Sequence, residues 1–123
     1  MSERRPAPGT RPVTDARQRL GERLAAAEAS IADLERQHAR VVAASESSNA
    51  DDEHDPEGST IAFERQQLTA LLQGSRARHN ELTTALVRLD DGTYGSCARC
   101  GSDIGAERLE ARPNSSTCID CAV

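Results

Sequence analysis

The sequence predicts a mainly α-helical protein: a long antiparallel coiled-coil hairpin followed by a small C-terminal module with four cysteines. Three observations support this fold class. Two long segments carry apolar residues at alternating steps of three and four, the heptad pattern of paired helices. A short polar, acidic segment separates them. The cysteines form two Cys-x-x-Cys pairs near the end of the chain, an arrangement typical of a zinc site.

Size and composition limit what else the chain can be. It has 123 residues, one Tyr, one Phe and no Trp, and its mean hydropathy is −0.62. Such a chain cannot build a large globular core, so it needs a metal or a long helical pairing for stability. No apolar run approaches the ~20 residues that span a bilayer, and the N-terminus lacks the apolar stretch of a signal peptide. We therefore expect a cytoplasmic protein without a membrane partner.

The charge distribution bears on the choice of partner. The net charge is −5, and all 15 basic residues are Arg. No basic stripe is present, so direct sequence-specific binding to DNA is not expected. The expected partner is instead a protein with a basic cavity, and the chain is expected to be a monomer.

The first helix is expected after a disordered lead-in over residues 1–13, which are rich in Pro, Gly and Arg. Thr14 is a plausible N-cap with Asp15 in the first turn, and the helical pattern runs to about Glu46. The apolar row of this helix, termed its seam, consists of Leu20, Leu24, Ala27, Ile31, Leu34, His38 and Val41.

The second helix is expected to begin at Pro56, with Asp55 as its N-cap, and to end at Asp90-Asp91-Gly92. Two long helices joined by a short loop pack antiparallel most readily, so residues 14–91 are predicted to form one hairpin. The seam of the second helix consists of Ile61, Leu68, Leu72, Ser75, His79, Leu82, Leu86 and Leu89.

A turn near Glu53 sets the pairing of the two seams. This register places Leu24 opposite Leu82 and Ala27 opposite His79. His38 and His79 are predicted to be half-buried spacers, not metal ligands, because four thiolates already saturate a zinc ion.

Residues 47–58 are predicted to form an acidic tip on the hairpin. On the residues alone, two interpretations of this tip stay open. One is a solvated loop in which Asp55 merely caps the second helix. The other is a surface that acts electrostatically near a catalytic magnesium ion or the basic walls of a channel. The tip places five acids within seven residues: Asp51, Asp52, Glu53, Asp55 and Glu57.

The four cysteines are predicted to hold one structural Zn²⁺ in a module over residues 92–123. The pattern is Cys-x₂-Cys, 17 residues, Cys-x₂-Cys, and it uses every cysteine in the chain. A two-residue spacing lets a tight turn aim both sulfurs at one point, and two such turns complete a tetrahedron about 2.3 Å from the metal. Gly101 stands where such a turn often needs a positive φ. The expected ligands are Cys97, Cys100, Cys118 and Cys121.

Two other uses of the cysteines are weaker. Two disulfides need an oxidising compartment. A redox pair needs a single Cys-x-x-Cys on a βαβ framework, which this sequence does not predict.

The stretch from about Leu86 to Cys121 closely resembles the zinc finger of the DksA/TraR family. The agreement extends beyond the cysteines to Gly-x-Tyr-Gly at residues 92–95 and Arg-Leu-x-Ala-x-Pro at residues 108–113. The resemblance implies a transcription regulator, not an enzyme, that binds RNA polymerase and inserts its coiled coil into the secondary channel. It also implies joint action with the alarmone ppGpp at the shared interface.

Two departures from the family pattern bear on the tip and the C-terminus. Family tips commonly carry Asp-x-x-Asp-x-Ala, and the tip here resembles that of actinobacterial members. Asp52 and Asp55 are kept, but Glu57 stands where Ala is usual, so these three residues are the expected partner-binding tip. Longer members continue with a helix after the last cysteine, whereas this sequence ends at Val123, so contacts from such a helix are not expected.

Other functions and contacts remain open at this point. A zinc-based adaptor could join two proteins, and a Gre-like factor could use the tip to help polymerase cleave RNA through a second magnesium ion. Gre proteins share the hairpin but lack a zinc finger. Tyr94 and Leu109 are predicted to pack the zinc module against the hairpin base. The candidate partner contacts on the module are Arg99, Arg108 and Arg112.

Overall fold

The structure is a computed structural model that describes residues 10–48 and 56–122, with side chains described for 15–47 and 59–122. Three helices follow one another: α1 over Thr10–Ser48, α2 over Pro56–Asp91 and α3 over Ala106–Ala111. In these residues the β-structure is limited to one isolated antiparallel bridge, Ser96 with Asp103. The predicted fold class, two long helices followed by a cysteine module, is confirmed.

The start of α1 differs from the sequence prediction. The helix begins at Thr10, four residues before the predicted N-cap Thr14, so residues 10–13 are helical and not part of a disordered lead-in. Pro12 does not prevent this, because the first turn of a helix has no use for the N–H group that proline lacks. Residues 1–9 of the predicted lead-in lie outside the described part of the chain.

The boundaries of α2 are those predicted. The helix begins at Pro56, whose fixed φ suits the first helical position, and it ends at Asp91. Gly92 follows with φ 80°, a conformation that glycine adopts without steric cost and that ends a helix sharply. The predicted cap residue Asp55 and the tip residue Asp52 lie outside the described residues.

The chain divides into two compact units. One contains the chain up to Ala25 together with the chain from Asn80 onward, and the other contains Ala26–His79. In the first unit, Leu20 of α1 and Leu82 of α2 are 0% and 1% exposed. An ion pair of 2.9 Å joins Arg17 of α1 to Asp90 of α2.

In the second unit the two helices run antiparallel. The partner on α2 moves back along the chain as the residue on α1 advances: Glu28 lies 3.4 Å from His79, and the side chain of His38 lies 3.3 Å from that of Thr69. Both histidines are half-buried, as predicted. Ala27 is the buried seam residue of α1 in this unit, and Leu72 is that of α2.

The predicted seams are the inner faces of both helices. Every seam position named from the sequence is buried or half-buried, whereas the charged positions beside them are mostly exposed. The heptad spacing therefore identified the buried face of each helix correctly. Within the described residues, neither long helix has a stretch apolar enough to cross a bilayer.

Candidate metal centre

The first cysteine pair lies in a small loop, termed the first knuckle, over residues 95–104. The N–H of Ile104 donates to the Gly95 carbonyl over 2.8 Å and closes the loop at its base. The N–H of Cys97 donates to Ser102 over 2.7 Å, and the N–H of Gly101 returns to the Cys97 carbonyl over 2.9 Å. Gly101 has φ 76°, as the sequence predicted, because the chain must reverse directly after Cys100.

The second cysteine pair lies in a shorter turn, termed the second knuckle, over residues 116–121. The N–H of Cys121 donates to the Cys118 carbonyl over 3.1 Å, which folds the pair onto one side of the turn. The N–H of Ala98 donates to the Ser116 carbonyl over 2.8 Å, so a backbone hydrogen bond joins the two knuckles directly.

The knuckles bring all four sulfurs to one point. The four Sγ atoms lie within 4.8 Å of one another, and the Sγ atoms of Cys100 and Cys118 are 3.7 Å apart. A tetrahedron of sulfurs 2.3 Å from a central zinc has edges of about 3.8 Å. A disulfide needs about 2.05 Å, and all four thiols are free. The four cysteines are therefore positioned to bind one metal ion.

The four cysteine sulfurs indicate which metal ion the site binds and whether that ion is structural or catalytic. Four thiolates in a tetrahedral arrangement suit Zn²⁺, and a closed four-ligand site is structural because no position remains open for substrate. Cys97 and Cys118 are buried, while Cys100 is exposed and Cys121 is half-buried. The metal would thus lie at the edge of the module core.

The cysteines differ in how readily they lose a proton to form a thiolate. Backbone N–H groups, those of Cys118 and Cys100 first, lower the pKa of Cys97 to about 6, so this sulfur is a thiolate at neutral pH. Hydrogen bonds with the sulfurs of Cys118, Cys100 and Cys97 raise the pKa of Cys121 to about 12, because they favour its protonated form. A divalent cation between the four sulfurs would replace these hydrogen bonds and favour the thiolate form of all four.

The core of the module is built largely from the ligands themselves. Cys97, Ile104 and Cys118 form a buried cluster, and Leu109 packs against it. The short helix α3, which the sequence analysis did not identify, turns the Leu109 side chain toward the cysteines, and the predicted packing of Leu109 against the hairpin base stays a prediction.

Tyr94 joins parts of the module that are distant in sequence. Its hydroxyl donates to the carbonyl of Pro113 over 2.8 Å. Burial raises the pKa of Tyr94, and the positive charge of Arg19 on α1 partly counteracts this. The predicted packing of Tyr94 between the module and the hairpin base stays a prediction.

Two of the arginines proposed as partner contacts have partners within the module. Arg99 donates to the Cys121 carbonyl over 3.3 Å, and Arg108 donates through Nε to the Thr117 carbonyl over 3.1 Å. Both therefore hold the second knuckle; Arg99 and Arg112 are exposed, and Arg108 is half-buried. Arg88 on α2 also holds this region, and sequence reasoning missed it because its acceptors are backbone carbonyls, which leave no motif.

The structure does not bring the tip residues to a described site. Asp52 and Asp55 lie outside the described residues, and Glu57 is placed only through its backbone, in the first turn of α2. Their assignment as partner-binding residues stays a prediction.

Comparisons with known proteins agree with this centre. Residues 92–123 match the family described as the prokaryotic dksA/traR C4-type zinc finger. The RNA polymerase-binding transcription factor DksA of Haemophilus influenzae is 46% identical over 41 residues, which cover 33% of this chain and 28% of that protein. The factor of the same name from Escherichia coli K12 is 44% identical over 41 residues, covering 33% and 27%. The aligned region thus spans under a third of these relatives.

A solved structure extends the likeness to the helices. The transcription factor DksA2 from Pseudomonas aeruginosa superimposes with a TM-score of 0.75 over 91% of this chain and 81% of that chain, at 22% identity. At this identity the match shows a common fold.

Proposed function

We propose that this chain, whose C-terminal module is a zinc finger of the DksA/TraR family, is a transcription regulator that binds RNA polymerase. The observation that carries the proposal is the combination of a four-thiol centre with two long helices, in the fold that DksA2 also has over most of its length. The curated relatives that share the finger are named for RNA polymerase binding. The chain is proposed to act as a non-enzymatic cytoplasmic monomer with one structural zinc.

We further propose that the hairpin enters the secondary channel of the polymerase and presents its acidic tip toward the active site. The tip carries Asp52, Asp55 and Glu57, and it connects two helices that pack antiparallel in their unit. Carboxylates at that place would act on the magnesium ion or on basic groups of the channel wall. A nucleotide such as ppGpp would bind at the shared interface, where the polymerase supplies cationic groups beside this chain, whose net charge is −5.

Binding to polymerase and entry into the channel are tested together. Purified protein is titrated against bacterial core RNA polymerase, alone and in the presence of a Gre factor, which occupies the secondary channel. We expect binding that the Gre factor abolishes, because one channel cannot hold two hairpins. Binding that the Gre factor leaves unchanged would contradict channel insertion, and no binding would favour the adaptor function.

We expect the tip of the hairpin to matter for the regulation of transcription and not for binding to RNA polymerase. Asp52→Asn with Asp55→Asn should leave polymerase affinity within about twofold, because exposed charges are screened beyond about 8–10 Å at physiological salt. Asn still caps a helix, so the hairpin should survive the change. In vitro transcription should show reduced regulation. Asp15→Asn with Asp33→Asn, two exposed carboxylates on α1, is the charge-matched control. If affinity and regulation fall in parallel, the tip is an anchor instead.

A Gre-like function is the second candidate, favoured only by the density of acids at the tip. Stalled elongation complexes incubated with the protein would release short RNA fragments if the tip held a second magnesium ion. We expect no cleavage above the polymerase background.

A further inference from the structure

The side chain of Arg88 joins the end of α2 to both knuckles. Its Nη2 donates to the carbonyl of Thr93 over 2.9 Å and also to the carbonyl of Ser96. Its Nη1 lies 3.5 Å from the carbonyl of Ser116, and its Nε lies 3.4 Å from the Thr93 hydroxyl. One half-buried guanidinium therefore serves backbone oxygens from two segments that are about 20 residues apart in sequence.

Two of these carbonyl oxygens belong to residues just before the two buried cysteines in sequence. Ser96 directly precedes Cys97, and Ser116 stands two residues before Cys118. Holding both carbonyls fixes the distance and direction at which the chain enters each knuckle. The same Ser116 carbonyl accepts from the N–H of Ala98 over 2.8 Å, so Arg88 reinforces the point where the knuckles meet.

The backbone of Arg88 is also held in place by hydrogen bonds. The backbone carbonyl of Arg88 accepts from the N–H groups of Thr93 and Tyr94, over 2.9 and 3.1 Å. A planar guanidinium offers five donors in a fixed fork and can bridge several acceptors at once, whereas the ammonium of lysine is a point charge on a flexible stem. The contacts of Arg88 with three carbonyls use several of these donors at once.

From these contacts we propose that Arg88 is a positioning residue of the metal centre, which sets the two knuckles at the separation where four sulfurs converge. It touches no sulfur and acts through the backbone that carries Cys97 and Cys118. The proposal is independent of RNA polymerase. Groups that orient metal ligands in this way commonly change metal affinity 10–100-fold when they are removed.

Metal affinity is the direct test. We expect Arg88→Ala to bind Zn²⁺ at least ~10-fold more weakly in competition with a chromophoric chelator. Alanine is the best helix former, so the change does not lower the helix propensity of α2. Arg112→Ala, which removes an exposed arginine from the same module, should stay within about twofold of the parent. Equal affinities for the two variants would overturn the proposal.

Cobalt spectra and a lysine variant test whether Arg88 acts by positioning the cysteine ligands. At saturating Co²⁺, Arg88→Ala should keep the thiolate charge-transfer bands of the parent, because the four ligands are unchanged. Arg88→Lys should recover only part of the affinity, since an ammonium cannot serve three carbonyls in fork geometry. Full recovery by Lys, or loss of helical circular dichroism together with the metal, would contradict a positioning role.

Discussion

Replacing Cys118 by Ser is expected to abolish stable zinc binding and to unfold residues 92–122 while most of the helical content remains. Two of the three buried residues of the module core, Cys97 and Cys118, are metal ligands. Its regular secondary structure, within the described residues, is limited to one isolated bridge and a helix of 6 residues. Structural zinc contributes about 10–16 kcal/mol in small sites, which exceeds what this core can supply.

The measurement must distinguish the module from the helices. Helix α3 has 6 residues, against 39 in α1 and 36 in α2, so circular dichroism at 222 nm should change little. Hydrogen exchange in residues 92–122 should instead become fast, and elemental analysis should fall well below one zinc per chain. Asp120→Asn, an exposed change inside the second knuckle, is the matched control and should keep its zinc. Slow exchange in the zinc-free variant would show that the module folds without metal.

The buried face of each long helix was predictable from sequence because periodicity is a local property. Leu20, Leu82 and Leu89 are all buried where the heptad spacing places them. The cysteine spacing was equally informative, since it fixes the turn geometry of each knuckle and leaves only the fold to bring the pairs together. The start of α2 at Pro56 was predictable for the same reason: proline has one favourable helical position.

Features that depend on tertiary contacts were not predictable. The Pro-rich composition around Pro12 indicated disorder, yet a proline in a first turn is compatible with the helix that begins at Thr10. The contacts of Arg88 are made to backbone carbonyls, which any sequence supplies, so no motif marks them. The packing of Leu109 against the cysteine cluster was not predicted, because α3 is too short to give a periodic signal.

Two arginines illustrate why composition alone assigns surfaces poorly. Arg99 and Arg108 are charged residues near the end of an acidic chain, which suggests contact with a partner. In the structure both donate to carbonyls of the second knuckle. A guanidinium hydrogen-bonded to its own backbone has fewer donors left for a partner. Partner contacts on the module are therefore better sought at exposed groups such as Arg112.

Placing a charge in the seam of α2 is expected to have the second large effect. Leu82 is 1% exposed, whereas Val87 on the same helix is 55% exposed. Leu82→Asp removes a buried apolar side chain, at about 2–5 kcal/mol, and places an unpaired carboxylate in its position, at several kcal/mol more. A small helical chain has a total stability of about 5–15 kcal/mol, so this variant should be largely unfolded near the hairpin base at neutral pH.

Val87→Asp provides a matched control, because it exchanges an apolar residue for the same acid only five positions along α2. At an exposed position the change should stay within about 0.5 kcal/mol, and Val and Asp have similar helix propensities. Urea unfolding of the parent and both variants, followed at 222 nm in saturating zinc, compares the three. A large loss for Leu82→Asp beside a nearly silent Val87→Asp would locate the stability of the hairpin in its seam. Coincident curves for the two variants would mean that burial along the heptad row does not hold these helices together, because solvent exposure is the main difference between the sites.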